Sequence, residues 1–398
     1  MDRYFRPDAD ELQSRRERLF RELDQTAPDW DTALITSPTN LYYFTGTKQD
    51  SILVMKRDGS AVLFVRRSFE RAKEESAFPD IRPMHSYAQA AARFGSSLGV
   101  TVLEKERVSL QMLDRMNNHF QFGRIRAVEP ALDEVRAVKS PFELEIMRAC
   151  GKIHGKLLKE VVPELLTEGI SECEFYSSLM ERAVAMGHQG ETHFNSAFSF
   201  VECCQYGFGE NTLLPTSFDS PCGMRGMYPA IPGGGSRERR LKPGDLVVVD
   251  FGCGLGGYQT DMTQVYCYHG TPSDEALAAH ERCREICLKA AAMLKPGAIP
   301  RQIYEASVPT EDSRFMKNFM GMGEHGVQFL GHSIGMDIDE RPAIARAFTK
   351  PLKANMTFAL EPKKGIPGQG FVGVEDTFLV TEAGSECLTG GPSDIIIV

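Results

Sequence analysis

Leu246-Val247-Val248-Val249-Asp250-Phe251 runs into the glycine cluster Gly252-Cys253-Gly254-Leu255-Gly256-Gly257. Tyr258-Gln259-Thr260-Asp261-Met262-Thr263-Gln264-Val265-Tyr266 follows. Two β-rich runs around glycines read as an antiparallel hairpin. With the turn centred between Leu255 and Gly256, Asp250 lies opposite Asp261, their Cβ atoms roughly 5 Å apart on one face. Two carboxylates so placed repel, and aspartate is a poor strand former. Solvent exposure would excuse them, but Val247 to Val249 form an unbroken apolar run that marks a buried strand. A bound cation resolves the conflict.

The pattern recurs downstream. Met356 to Pro362 and Val372 to Val380 flank a segment of Lys, Gly, Pro and Gln that reads as a loop. Centred on Gly368, it sets Glu361 against Glu375. Between the hairpins lies Leu330-Gly331-His332-Ser333-Ile334-Gly335-Met336, a histidine among glycines that permit close backbone approach. A lone histidine there would be a core residue; beside four convergent acids it reads as a ligand. Four carboxylates and one imidazole suit two divalent ions roughly 3.5–4 Å apart with a hydroxide between them. Oxygen donors with one nitrogen favour manganese, iron, cobalt or zinc over a thiolate-seeking metal, and manganese is the first expectation.

Outward from these hairpins, the 398 residues are too many for one ordinary core, and two domains are expected. A composition 42% hydrophobic and 25% charged excludes disorder and collagen-like repeats. The formal charge of -9 argues against nucleic-acid binding, and Arg237, Arg239 and Arg240, interrupted by Glu238, read as a solvated loop. The charged start, Met1 to Leu12, is no signal peptide, and no apolar stretch reaches membrane-spanning length. Ten cysteines include no CxxC pair; Cys203 and Cys204 are adjacent. Their spacing suggests buried, reduced side chains and a cytoplasmic protein.

Helix from Asp10 to Asp24, strands at Ala33–Thr36, Ile52–Met55 and Ala61–Val65, and helices near 68–76, 86–97 and 109–118 predict an α/β first domain, 1–137. Ser140 as N-cap and Pro141 in the first turn open a long helix, followed by helices at 171–186, 273–294 and 300–307. The second domain, 139–398, is expected to be α+β and to carry the chemistry.

At these residues the chain resembles the pita-bread metallopeptidase family of Xaa-Pro aminopeptidases, prolidases and methionine aminopeptidases, to which the non-metal creatinases also belong. Ala33 to Gly46 resembles a creatinase-type, ribonuclease-H-like N-terminal domain, and Val138-Lys139-Ser140-Pro141-Phe142-Glu143 the start of the catalytic domain. The resemblance implies that Asp250 chelates one metal, Asp261 and Glu375 bridge, and His332 and Glu361 complete the second site. It further implies a dinuclear hydrolase that removes the N-terminal residue of Xaa-Pro peptides through a metal-bridging hydroxide, with Glu361 as catalytic proton shuttle. Relatives with this first domain commonly form homodimers, so a homodimer is expected.

The chain departs from the peptidase pattern at four places. Pro232-Gly233-Gly234 stands for Pro-His-Gly, Gln328 for a histidine, Asp339-Glu340 for His-Glu, and Gly373 for an arginine. Gln328, Asp339 and Arg341 are the candidate replacements for substrate binding, and an acid in place of an imidazole suits a cationic or amine-bearing substrate. His325 is out of step with the family histidine and reads as loop. The alternative function is a non-peptidase acting on a small molecule, a C–N hydrolase or C–S lyase on the same site. A pure binding module would be expected to lose metal ligands, and all five are present. Met316, Met320 and Met322 read as core or as a pocket wall.

Overall fold

The computed structural model describes residues 5–194 and 204–398, so Cys203 and the first four residues lie outside it. The chain divides into two compact units, Met1–Arg136 and Ala137–Val398.

In the first unit, Asp8 caps helix Ala9–Thr26 by accepting from the Glu11 amide. Leu12, Arg15, Leu19 and Leu23 recur at helical spacing and are buried, which fixes the helix's inward face. A six-stranded mixed sheet runs in the order 81–83, 61–65, 51–56, 32–35, 97–103, 121–127. The strand Ser97–Leu103 begins where the sequence suggests the end of a helix, which instead stops at Phe94 before Gly95. Its Leu98 and Leu103 pack with Leu34, Val54, Phe64, Tyr87 and Phe120, so tertiary burial outweighs the weak local signal.

The second unit opens as its sequence suggests. Ser140 Oγ accepts from the Glu143 amide, and Glu143 Oε2 accepts from the Ser140 amide, a reciprocal cap at the start of helix Pro141–Lys156. Helices Glu172–Met186, Asp274–Met293 and Pro300–Ser307 follow. A four-stranded sheet, ordered 396–397, 258–267, 246–255, 204–208, packs one face on the first two of the unit's helices. Val247, Val249, Phe251 and Cys253 point to that core, with Met262 and Tyr266 beside them. Alternation then turns Asp250 and Gly252 to the opposite face.

A second sheet, ordered 340–345, 329–333, 357–360, 376–381, 384–387, carries His332. The bridge between Thr263 and Glu375 brings the two sheets together beside the face that bears Asp250. No described helix is long and apolar enough to cross a membrane. Cys150, Cys173, Cys222, Cys253, Cys267, Cys283 and Cys287 are free and buried, and Cys387 is free and partly buried. Met316 and Met320 belong to a hydrophobic core, whereas Met322 lines a separate cavity with His325.

Candidate metal centre

The first hairpin forms, but its register differs from the expected one. Leu255 pairs with Tyr258, so the turn is Gly256-Gly257, one residue later than expected. Both glycines have positive φ, 57° and 87°, as the tight hairpin turn that matches strand twist requires. Asp250 therefore pairs with Thr263, and Asp261 with Gly252. The two aspartates are diagonal neighbours on one face, about 7–8 Å apart by sheet geometry rather than directly opposed. The offset relieves the direct repulsion and leaves room for a cation between them.

The second pair keeps the expected register across an interrupted ladder. Leu360 pairs with Asp376 and Lys363 with Gly373, so both ladders run about Gly368 and Glu361 faces Glu375. The connecting segment is not a loop. Residues 363–366 and 370–373 are paired strands, which extends the alternation past Pro362 and turns Lys363 to the same face as Glu361. Its Nζ donates to Asp250 Oδ2 at 2.8 Å, Glu361 Oε2 at 2.9 Å and Glu375 Oε2 at 2.7 Å.

His332 approaches from strand Phe329–Ser333, paired with Ala359 of the neighbouring strand. Its Nε2 lies 3.6 Å from Glu361 Oε1, 3.8 Å from Glu375 Oε1 and 4.0 Å from Asp261 Oδ2. These are too long for hydrogen bonds. Ligand atoms of Asp261, His332 and Glu375 lie within 4.8 Å of one another, and so do those of Asp250, Glu361 and Glu375. Glu375 Oε2 also accepts from the Thr263 hydroxyl at 2.9 Å, while its buried Oε1 has no hydrogen-bond partner. A buried carboxylate oxygen without a donor is costly unless something positive meets it. The donor set therefore fits a divalent ion on the His332 side.

The charges divide unequally. Burial pushes Asp250 up to about 6 and Glu361 up to about 8, against the pull of Lys363. At Glu375 burial also raises the carboxyl, but Lys363 and His332 outweigh it and hold the group at about 2. Burial opposes charge on His332, yet Asp339, Glu375 and Glu361 overcome it and raise its pKa well above the ordinary value. Carboxylates thus demand positive charge at two places, one met by Lys363 and one centred near His332 Nε2.

The five expected ligands line one cleft together with Thr192, Gln205, Phe218, Asp219, Ile338 and Asp339. Asp339 stands behind His332, Oδ1 3.2 Å from Nδ1. Glu340 pairs with Lys139 at 3.0 Å and accepts from the Met336 amide, holding the loop after His332. Gln328 and Arg341 are exposed and do not line this cleft, and Gly373 accommodates the Lys363 backbone. Lys363 is the residue missed by the sequence reading. Its signal was the two-residue step from Glu361, visible only once residues 363–366 are read as strand.

A family model described as metallopeptidase family M24 matches residues 145–382. One described as the creatinase/prolidase N-terminal domain matches residues 15–138. An Xaa-Pro dipeptidase from Pyrococcus furiosus is 25% identical over 381 residues, covering 95% of this chain and 98% of that protein. An uncharacterized peptidase from Staphylococcus aureus is 27% identical over 371 residues, covering 90% and 94%. The solved Xaa-Pro dipeptidase of Bacillus anthracis superposes with a TM-score of 0.78 at 21% identity, over 97% of this chain and all of that one.

Proposed function

The chain belongs to metallopeptidase family M24, a creatinase-type N-terminal domain ahead of a pita-bread catalytic domain, and from this we propose that it is a metal-dependent exopeptidase for Xaa-Pro peptides. The observation that carries the reading is the convergence of Asp250, Asp261, His332, Glu361 and Glu375 on one cleft. We assign residues 1–137 to the first domain and 139–398 to the catalytic domain. A homodimer, which rests on the resemblance alone, and a cytoplasmic location, which rests on the cysteine pattern, are part of the same proposal.

Asp261, His332, Glu361 and Glu375 would hold a divalent ion, with Asp250 as the further donor if a pair is bound. Such an ion supplies Lewis acidity and an activated water at neutral pH. Glu361 lines the cleft, and its carboxyl would take a proton and return it to a leaving amine. Thr263 and Lys363 fix Glu375 in place. A pair of ions, the arrangement expected from five donors, requires Lys363 to leave.

The acidic wall formed by Asp219 and Asp339 supports a second reading. Together with the exposure of Gln328 and Arg341 outside the cleft, it suits a small amine-bearing substrate and a C–N hydrolase or C–S lyase. The test is proline release by manganese-loaded protein from Xaa-Pro dipeptides and from longer Xaa-Pro-leading peptides. Release that disappears in Asp261→Asn supports the exopeptidase. No release from protein that holds metal would sink it and leave the small-molecule reading.

A further inference from the structure

Lys363 is 1% exposed by its side chain and spends its whole donor capacity on the acidic cluster. Its Nζ reaches Asp250, Glu361 and Glu375 at 2.7–2.9 Å, and an ammonium has three N–H groups to give. Both glutamates offer Lys363 only their Oε2 atoms. Their Oε1 atoms turn to the other side, 3.6 and 3.8 Å from His332 Nε2, with Asp261 Oδ2 at 4.0 Å from the same nitrogen. Glu361 and Glu375 thus bridge two positions. An ammonium fills the first, and the second contains the buried, unpartnered Glu375 Oε1.

Ligand atoms that share one tetrahedral ion at about 2.1 Å lie about 3.4 Å apart; Asp261, His332 and Glu375 each offer one within 4.8 Å of the others, and Glu361 Oε1 lies 3.6 Å from His332 Nε2. We propose that Lys363 takes the place of one metal ion, so that the centre binds a single divalent cation at Asp261, His332, Glu361 and Glu375. One dication and one ammonium set three positive charges against four carboxylates, so the ammonium supplies half of what a second dication would, at the position its three hydrogen bonds already fill. Expulsion of Lys363 would strand that charge in the interior without its partners, an outcome strongly disfavoured. Gly373 fits the arrangement, since a Cβ there would stand 2.6 Å from Lys363 Cα and 3.2 Å from its Cβ.

The inference rests on the metal-dependent reading of the site, and counting metal separates the two. Wild-type protein is incubated with excess Mn²⁺, desalted, and its metal-to-chain ratio measured by mass spectrometry, with electron paramagnetic resonance on the same sample. One ion per chain with the spectrum of an isolated Mn²⁺ is expected. Two ions with an exchange-coupled spectrum overturn the inference and leave the metallopeptidase reading standing. No bound ion overturns both. Lys363→Gly is expected to raise the ratio to two, and a folded variant that still binds one would show that the ammonium does not set the count. Should that variant fail to fold, the wild-type count and spectrum decide alone.

Discussion

Asp339 Oδ1 lies 3.2 Å from His332 Nδ1, on the side of the imidazole turned away from the acidic cluster, while Nε2 faces Asp261, Glu361 and Glu375. A carboxylate on the remote nitrogen orients the ring and raises the basicity of the nitrogen that meets a metal. Asp339 thereby gains a positioning role beside the substrate contact suggested by its place in the sequence.

That role predicts a specific defect. Asp339→Asn should weaken metal binding by about 10–100-fold, the usual cost of losing such a partner. Metal titration by calorimetry reads it directly. If affinity holds and only KM for a cationic substrate changes, Asp339 acts on substrate instead.

Glu361 is expected to carry the proton. Glu361→Gln should lower kcat by about 10²–10⁴-fold, the range for loss of a general acid–base group, and abolish the associated limb of the pH–rate profile. Because Glu361 is also a candidate ligand, bound metal must be measured on the same sample. A variant that retains metal and most of its kcat would remove Glu361 from the proton path.

Two histidines outside the acidic cluster predict how stability responds to acid. Burial lowers His154 to about 3 and His188 to about 4, from an ordinary value of 6.5. His154 Nδ1 lies 3.0 Å from the Thr260 hydroxyl, and His188 Nδ1 accepts from the Gly254 amide. Between pH 6.5 and 4 the unfolded chain binds protons that the folded chain refuses, so stability is present above 6.5 and falls as pH drops. Each group contributes a slope of up to about 1.4 kcal/mol per pH unit. Melting temperatures recorded from pH 7 to 4.5 should show a shallower decline in His188→Gln, whose side-chain oxygen can still accept from Gly254. An identical decline would exclude His188 as a source.

Gly373 has φ of 140°, and a Cβ on it would sit 2.4 Å from the Pro362 carbonyl oxygen. Gly373→Ala should therefore destabilise the protein by about 1–3 kcal/mol, the scale of backbone strain at such a position. The urea midpoint measures this. A midpoint equal to wild type would mean that the strand bearing Lys363 yields freely.

Much of this protein was legible in order along its chain. Ser140, Pro141 and Glu143 announce a helix start because caps act within one turn. Asp250, Asp261, His332, Glu361 and Glu375 stand out because each is an acid or imidazole embedded in apolar or glycine-rich strand sequence. The Glu361–Glu375 register was also readable, since a hairpin's register follows from the centre of its turn. The Asp250–Asp261 register was misread by a single residue at the turn. Several adjacent glycines tolerate a turn almost equally, and the choice of Gly256-Gly257 places the apolar residues of both strands on the helices.

Sequence alone thus determined which residues bear the charge and which segments carry them, because periodicity and turn chemistry are local. Only the tertiary structure decided how the charges meet. It joined the two sheets at Thr263 and Glu375, set Asp339 behind His332, and left Gln328 and Arg341 in solvent. It also drew Lys363 out of an apparent loop and into the centre of the carboxylates. A buried ammonium needs partners from Asp250, Glu361 and Glu375 together, and residues so far apart in sequence converge only when both sheets have closed around them.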